Sequence, residues 1–293
     1  MSSRAEVEVR FAERRRRVDE WALVLASQGL SARVQGREGG FVVLVPLEQA
    51  VAAVAVLDAY ERENPPGPPG PQRVASPADL RVGLAVPAVL VAFFFVTGPR
   101  DPDVVWFRSG SADAARILDG ELWRSVTALT LHADTAHVVA NALIGALFLT
   151  AACRTLGAGL ACLLLVLSGA GGNLANAWMH ASNHVSVGAS TAVFGCVGVM
   201  GGVGVARRQH GGTRGRRAWL PVAASLGLLA MLGVGARVDL WAHLLGLAVG
   251  AALGLGVGAR LPHPPRPAAQ WLMGGAAAAI VLWSWSVALA LPA

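Results

Sequence analysis

Apolar residues run along this chain in long blocks separated by short polar breaks, and the blocks set the expected architecture. From residue 82 onward seven apolar stretches follow one another, over 82–98, 135–153, 158–179, 187–206, 218–236, 238–259 and 269–291. Each comes close to the roughly 20 residues that a helix needs to cross about 30 Å of hydrocarbon. Between Asp134 and Arg207 the one charged residue is Arg154. The pattern predicts an all-α polytopic membrane protein with seven spans.

Ahead of the spans the pattern changes. Residues 11–29 read as a helix opening on the basic run Arg14–Arg17. Two strand-like runs follow, Ala32–Gln35 and Phe41–Val45, around a glycine-rich turn at 36–40, and then a second helix over Leu47–Arg62. A small cytoplasmic α-β-β-α module is expected over residues 1–64, with apolar runs too short to span a bilayer. Residues 65–80, opening on Pro65-Pro66-Gly67-Pro68-Pro69-Gly70-Pro71, form a semi-rigid Pro/Gly-rich linker. Residues 81–260 then make a six-span membrane core, and 261–293 add one C-terminal transmembrane helix.

Composition narrows the class. The chain is 54% hydrophobic and 14% charged, against about 25% charge in ordinary soluble domains. Residues 1–80 hold 10 Arg against 11 acidic residues, whereas 81–293 hold 14 Arg against 7. A soluble enzyme, a disulfide scaffold and a disordered tail all fit the second part poorly. The pI near 10.7 does not point to nucleic acid, because no basic run is interleaved with aromatics in a polar context.

The arginines instead report orientation. The loop 207–217 carries five Arg and no acid, which predicts a cytoplasmic loop. Counting spans from there puts Arg154, Arg260, Arg266 and the N-terminal module on the same side. The loop 99–134, the segment near Ser182–Val185 and the turn at 237–239 fall outside. Trp106, Trp123, Trp178, Trp241 and Trp283 then lie at or near the outer face, where indole rings anchor helices. All 24 basic residues are Arg, a hint of a GC-rich genome, and a bacterial source is expected. Cys153, Cys162 and Cys196 sit inside apolar stretches and read as small buried hydrophobes. No Cys/His/Asp cluster has ligand spacing, so neither metal nor cofactor is implied.

Polar residues inside a membrane are costly and therefore candidates for function. They are few: His137 and Asn141 in the second span, Asn173 and Asn176 in the third, Ser190 in the fourth and His243 in the sixth. His137, Asn141, Ser190 and His243 all lie a few residues in from the outer side. Three spans distant in sequence thus bring a hydroxyl, two imidazoles and an amide to one depth. A Ser hydroxyl needs a base to take its proton, and His243 is the natural one. His137 and Asn141, four apart on one helix face, are both able to donate to an oxyanion. Asp239, four residues before His243, is the one acid within reach but falls at the outer boundary, so a Ser–His dyad is favoured over a triad. Asn173 and Asn176 read as interhelical glue, His132 as an organiser of the outer loop or a cap of the second span, and His180 and His184 as water-facing.

No single motif decides the matter, since Gly-x-Ser also occurs at Gly29-Leu30-Ser31. The order does. Trp123-Arg124 is followed by His132, by His137-x-x-x-Asn141, by Gly188-Ala189-Ser190-Thr191-Ala192-Val193-Phe194-Gly195, and by Ala242-His243-x-x-Gly246-x-x-x-Gly250. Over roughly residues 80–260 this resembles the rhomboid family of intramembrane serine proteases. The resemblance implies Ser190 as nucleophile and His243 as general base. It also implies His137, Asn141 and the Ser190 backbone N–H as the oxyanion hole, with Trp123-Arg124 in the outer loop. Phe194 matches an aromatic position beside the catalytic histidine, and Gly188 and Gly246 support the site. The chain departs from the family at Thr191, where many members have Gly, and at Leu240, where Asn is frequent. Neither departure removes a catalytic group.

Implied partners are single-span transmembrane proteins, cut in or next to their membrane segments, and membrane lipid. Two other readings compete: a non-catalytic rhomboid-like protein that binds client helices, and a small-solute transporter. The retained Ser190 and His243 weigh against the first, and the lack of a two-fold repeat with broken helices against the second.

Overall fold

In a computed structural model of the chain, residues 5–13, 15–64, 77–180, 184–209 and 239–291 are described. They fall into two compact units, 1–72 and 73–293.

The first unit opens with a strand that differs from the expectation. Residues 11–13 do not start the first helix; Glu6–Ala12 form strand β1, and helix α1 runs over Arg15–Ser27. The reason is a period-2 alternation, with Val7 and Val9 set between Glu6, Glu8 and Arg10. Strands β2 (Arg33–Arg37) and β3 (Gly40–Pro46) follow, then helix α2 (Ala50–Glu63). The order is therefore β-α-β-β-α. β3 is the central strand, antiparallel to β1 (Glu6 opposite Pro46) and to β2 (Arg33 opposite Leu44). Val18, Trp21 and Leu25 of α1 and Ala53 and Leu57 of α2 cover Val43 and Val45 to make the core.

The second unit is helical. Six helices among the described residues are long and apolar enough to cross a membrane: α3 (Pro77–Thr97), α7 (Thr135–Leu156), α8 (Ala158–His180), α9 (Ser190–Gln209), α10 (Leu240–Arg260) and α11 (Pro267–Ala290). They correspond to six of the seven expected spans. The other, 218–236, lies outside the described residues. Between α3 and α7 the loop expected on the outside, called the outer loop below, folds into short helices α4 (Val105–Gly110), α5 (Ala114–Leu118) and α6 (Arg124–Thr127). A two-residue strand β4 (Ala112–Asp113) pairs antiparallel with β5 (Val185–Ser186), the segment leading into α9.

Helix α9 is the centre of this unit. Of its spanning stretch, 67% is buried, against at most 44% for any other span among the described residues. It meets α10 along a seam of glycines. A Cβ at Gly246 would stand 2.3 Å from the Thr191 carbonyl oxygen, one at Gly250 2.0 Å from that of Gly195, and one at Gly254 2.2 Å from that of Val199. The seam is reciprocal, because Gly198 and Gly202 of α9 approach the carbonyls of Leu247 and Ala251 at 2.1 and 2.3 Å. Such backbone-to-backbone contact needs residues without side chains.

Helix α11 braces α8 and the outer loop. At one end the Gln270 amide donates to the Leu156 carbonyl (2.8 Å) and accepts from the Leu160 N–H (2.9 Å), closing the end of α7 and the start of α8 together. At the other, the Trp285 indole N–H donates to Thr130 Oγ1 at 3.0 Å, and the ring packs edge-on against Phe93 and Trp106.

Candidate active site

The glycine seam delivers two side chains to each other. Ser190 opens α9, His243 sits in the first turn of α10, and Ser190 Oγ lies 2.8 Å from His243 Nε2. Phe194, one turn after Ser190, stacks on the His243 ring with centroids 4.6 Å apart and planes at 18°. His243 is 6% exposed and Phe194 2%, so the ring has little freedom to turn.

The turn ahead of Ser190 is held at each residue. The Gly188 N–H donates to the Ala128 carbonyl (2.9 Å), and the Ala189 N–H reaches His132 Nε2 (3.4 Å). Gly188 has φ +132°, and a side chain there would meet His137 Cε1 and Nε2 at 2.7 and 2.8 Å and Ser190 Oγ at 3.6 Å. Glycine is thus required twice over, for the backbone angle and for the space. That space is bordered by both His137 Nε2 and the Ser190 hydroxyl.

The tautomer of His137 follows from its other nitrogen. The Ala133 N–H donates to His137 Nδ1 at 3.4 Å, so a neutral ring carries its proton on Nε2, directed at the site. Asp134, not His132, caps α7, accepting from the His137 N–H at 2.8 Å. Asn141 lies on the same wall but donates one amide hydrogen to the His137 carbonyl of its own helix (2.9 Å). One N–H remains for another partner. A cavity of about 840 Å³ opens here, its walls including His137, Asn141, Gly188, Ser190, Thr191, Phe194 and His243.

Trp123 and Arg124 stand apart from this group and hold the outer loop. The Trp123 indole donates to the Ser109 carbonyl (3.3 Å). Arg124, 2% exposed, donates to Glu121 Oε2 (2.6 Å) and to the Ser111 carbonyl (3.1 Å). Burial pushes its guanidinium below the usual arginine range, with Glu121 pulling the other way. Asn173 binds the Ser125 carbonyl at 2.9 Å, tying α8 to α6 rather than to another span. Burial, with His137 close by, pushes the His132 imidazole down to about 4, so at neutral pH this ring is uncharged.

Three residues make a cluster that the sequence reading did not assemble. The Asp239 carboxylate caps α10, Oδ1 accepting from the Ala242 N–H at 3.0 Å. Its Oδ2 lies 2.5 Å from His184 Nε2 and 2.7 Å from Asn176 Nδ2. Burial opposes ionisation of Asp239, yet the Ala242 N–H, His184 and Asn176 outweigh that cost and hold its carboxyl below the usual carboxylate range. His184 is therefore tied to a carboxylate rather than simply facing water. The separation of Asn176, His184 and Asp239 in sequence, 63 residues from end to end, left no local signal. Within hydrogen-bonding distance, His243 Nδ1 has no partner among the described residues.

These features define a polytopic helical membrane protein with a half-buried serine in contact with a buried histidine. The model of the rhomboid domain matches residues 119–260, which include the outer-loop Trp-Arg pair, both oxyanion candidates, Ser190 and His243. The protein named "Putative rhomboid protease YdcA" of Bacillus subtilis is 32% identical over 172 residues, 58% of this chain and 83% of that protein. "Rhomboid protease GluP" of the same organism is 34% identical over 100 residues, 34% of this chain but 19% of GluP. The chain belongs to the rhomboid family.

Proposed function

We propose that the protein is an intramembrane serine protease that hydrolyses peptide bonds in or next to transmembrane segments of other membrane proteins. The observation that carries this reading is the 2.8 Å contact between Ser190 Oγ and His243 Nε2, made inside a bundle where a polar pair needs a reason to exist. Ser190 attacks the scissile carbonyl while His243 takes its proton and later returns it to the leaving amine. The oxyanion is met by the Nε2–H of His137, the free amide hydrogen of Asn141 and the Ser190 backbone N–H. Asp239 is occupied by the helix cap, His184 and Asn176, which favours a dyad.

The substrates are single-span membrane proteins, reached through lipid, and the site opens to the extracytoplasmic side of a bacterial cell membrane. Residues 1–64 form a cytoplasmic module, 65–80 a linker, 81–260 the catalytic core and 261–293 an added helix. The arginine distribution supports this orientation.

The test is fluorophosphonate labelling of purified protein in detergent, paired with cleavage of a single-span reporter in proteoliposomes. Ser190→Ala and His243→Ala each abolish cleavage with the fold intact, and the double variant is no worse than either, because the two act as one unit. Wild-type-like cleavage by Ser190→Ala overturns the reading and returns the non-catalytic alternative. For orientation, an impermeant thiol reagent on intact cells labels Asp103→Cys and spares His263→Cys in a cysteine-free background.

A further inference from the structure

Asp239 has more partners than a helix cap needs. One carboxylate oxygen holds the first turn of α10 through the Ala242 N–H at 3.0 Å. The other is gripped at 2.5 Å by His184 and at 2.7 Å by Asn176. The three residues belong to three segments: the end of α8, the stretch that becomes β5, and the start of α10. His184 is braced in turn, stacked on His180 with ring centroids 4.2 Å apart at 17°. Its own carbonyl accepts from the Ala114 N–H at 2.9 Å, which fixes it to the outer loop.

The segment after His184 runs directly to Ser190, and the residue four after Asp239 is His243. We propose that Asp239, anchored by His184 and Asn176, is a positioning residue that sets the separation of Ser190 from His243. The inference rests on the proposed protease reading. Asp239 makes no contact with the reacting atoms. It fixes the axial position of α10's first turn against the strand that feeds α9. The glycine seam permits the two helices to approach; a smooth seam of small residues leaves sliding along the helix axes weakly opposed, and the hydrogen-bonded tether opposes it. Losing the tether loosens the Ser190–His243 contact; because Asp239 and His184 also line the cavity, the rate of serine labelling by a small probe, rather than KM, reads that loosening.

The experiment measures kcat and KM for reporter cleavage in proteoliposomes, with fluorophosphonate labelling rates and melting in detergent alongside. Asp239→Ser keeps a capping hydroxyl but cannot reach His184 or Asn176. His184→Ala removes the tether from the other side with the cap intact. Both are expected to lower kcat and the labelling rate by about 10–100-fold, the scale of a misplacement near 1 Å. His184→Gln, whose amide donates to Asp239, restores most of the loss. Should Asp239→Ser fail to fold, His184→Ala and His184→Gln carry the test.

Wild-type kcat in His184→Ala, or a loss in both variants that follows melting and is not rescued by Gln, overturns the proposal. Failure of the protease reading is distinguishable. In that case wild-type protein shows no Ser190-dependent cleavage at all, and this inference falls with it.

Discussion

Gly250→Ala is a one-carbon change at the point where α9 and α10 come closest. The new Cβ would stand 2.0 Å from the Gly195 carbonyl oxygen and 2.7 Å from its carbon. Ordinary van der Waals contact begins about 1.4 Å further out, and both obstructing atoms are backbone, so no rotamer change relieves the clash. The helices must part or slide by roughly that amount. Ser190 and His243 sit two turns up the same seam, 2.8 Å apart, and adding even about half of the displacement takes them past hydrogen-bonding distance. Overpacking of this kind costs about 1–3 kcal/mol of stability, while a misplaced general base costs about 10²-fold in rate. Activity therefore falls much further than melting temperature. The assay is the fluorophosphonate labelling rate of Ser190 in detergent, read beside a thermal melt. Gly204→Ala and Gly275→Ala, where a Cβ meets nothing within 4 Å, serve as controls and keep wild-type labelling. Wild-type labelling by Gly250→Ala would refute the claim that close approach along the seam is required for the Ser190–His243 contact.

Thr191→Gly installs the residue common in the family, yet it is expected to destabilise by roughly 1–2 kcal/mol in a detergent melt, from a lost packing group and a more flexible helix start. Thr191 is 3% exposed and its methyl fills the space beside Gly172 and Gly246, so these glycines accommodate the larger side chain. Asn141→Ala lowers cleavage by no more than about 10²-fold, the lower end for one oxyanion donor, since half of the amide is already spent on the His137 carbonyl; a complete loss in the reporter assay would contradict that accounting. His132 gives a pH signature. Its folded-state pKa near 4 lies below the unfolded value of about 6.5, so its contribution is complete above about pH 6.5 and is lost as pH falls toward 4. The total is on the order of 3 kcal/mol. Melting temperature should drop over that window in the wild type, with a flatter profile in His132→Gln.

Much of this was legible in the sequence, and the parts that were not share a cause. Span positions follow from local composition, which is why α7 and α8 lie within a few residues of their expected bounds. The candidate site residues were legible through their depth and order: His137, Ser190 and His243 come together because each lies in the first turn of its helix. The strand Glu6–Ala12 was missed although its alternation is plain, because the neighbouring run of arginines read as the start of a helix. The tether through Asn176, His184 and Asp239 had no local signature. Each of these residues has an ordinary role when considered alone, and only the bundle brings them together. The short helices of the outer loop were unreadable for the same reason, since they are fixed by contacts such as Thr127 Oγ1 to the Gly110 carbonyl at 2.7 Å.

The burial of α9 has a consequence for how the protein enters the membrane. The helix that carries Ser190 is the least apolar of the six spans and holds five glycines, at 195, 198, 201, 202 and 204. Glycine adds little to the free energy of partitioning into hydrocarbon and leaves the peptide backbone poorly screened. Alone in lipid, α9 is a weakly committed span; in the bundle, beside α8 and α10, 67% of its spanning stretch is buried. Its insertion is thus a property of the assembled bundle. Substitutions that spoil its packing reveal themselves first as a chain with the wrong number of crossings, and only second as a slow enzyme.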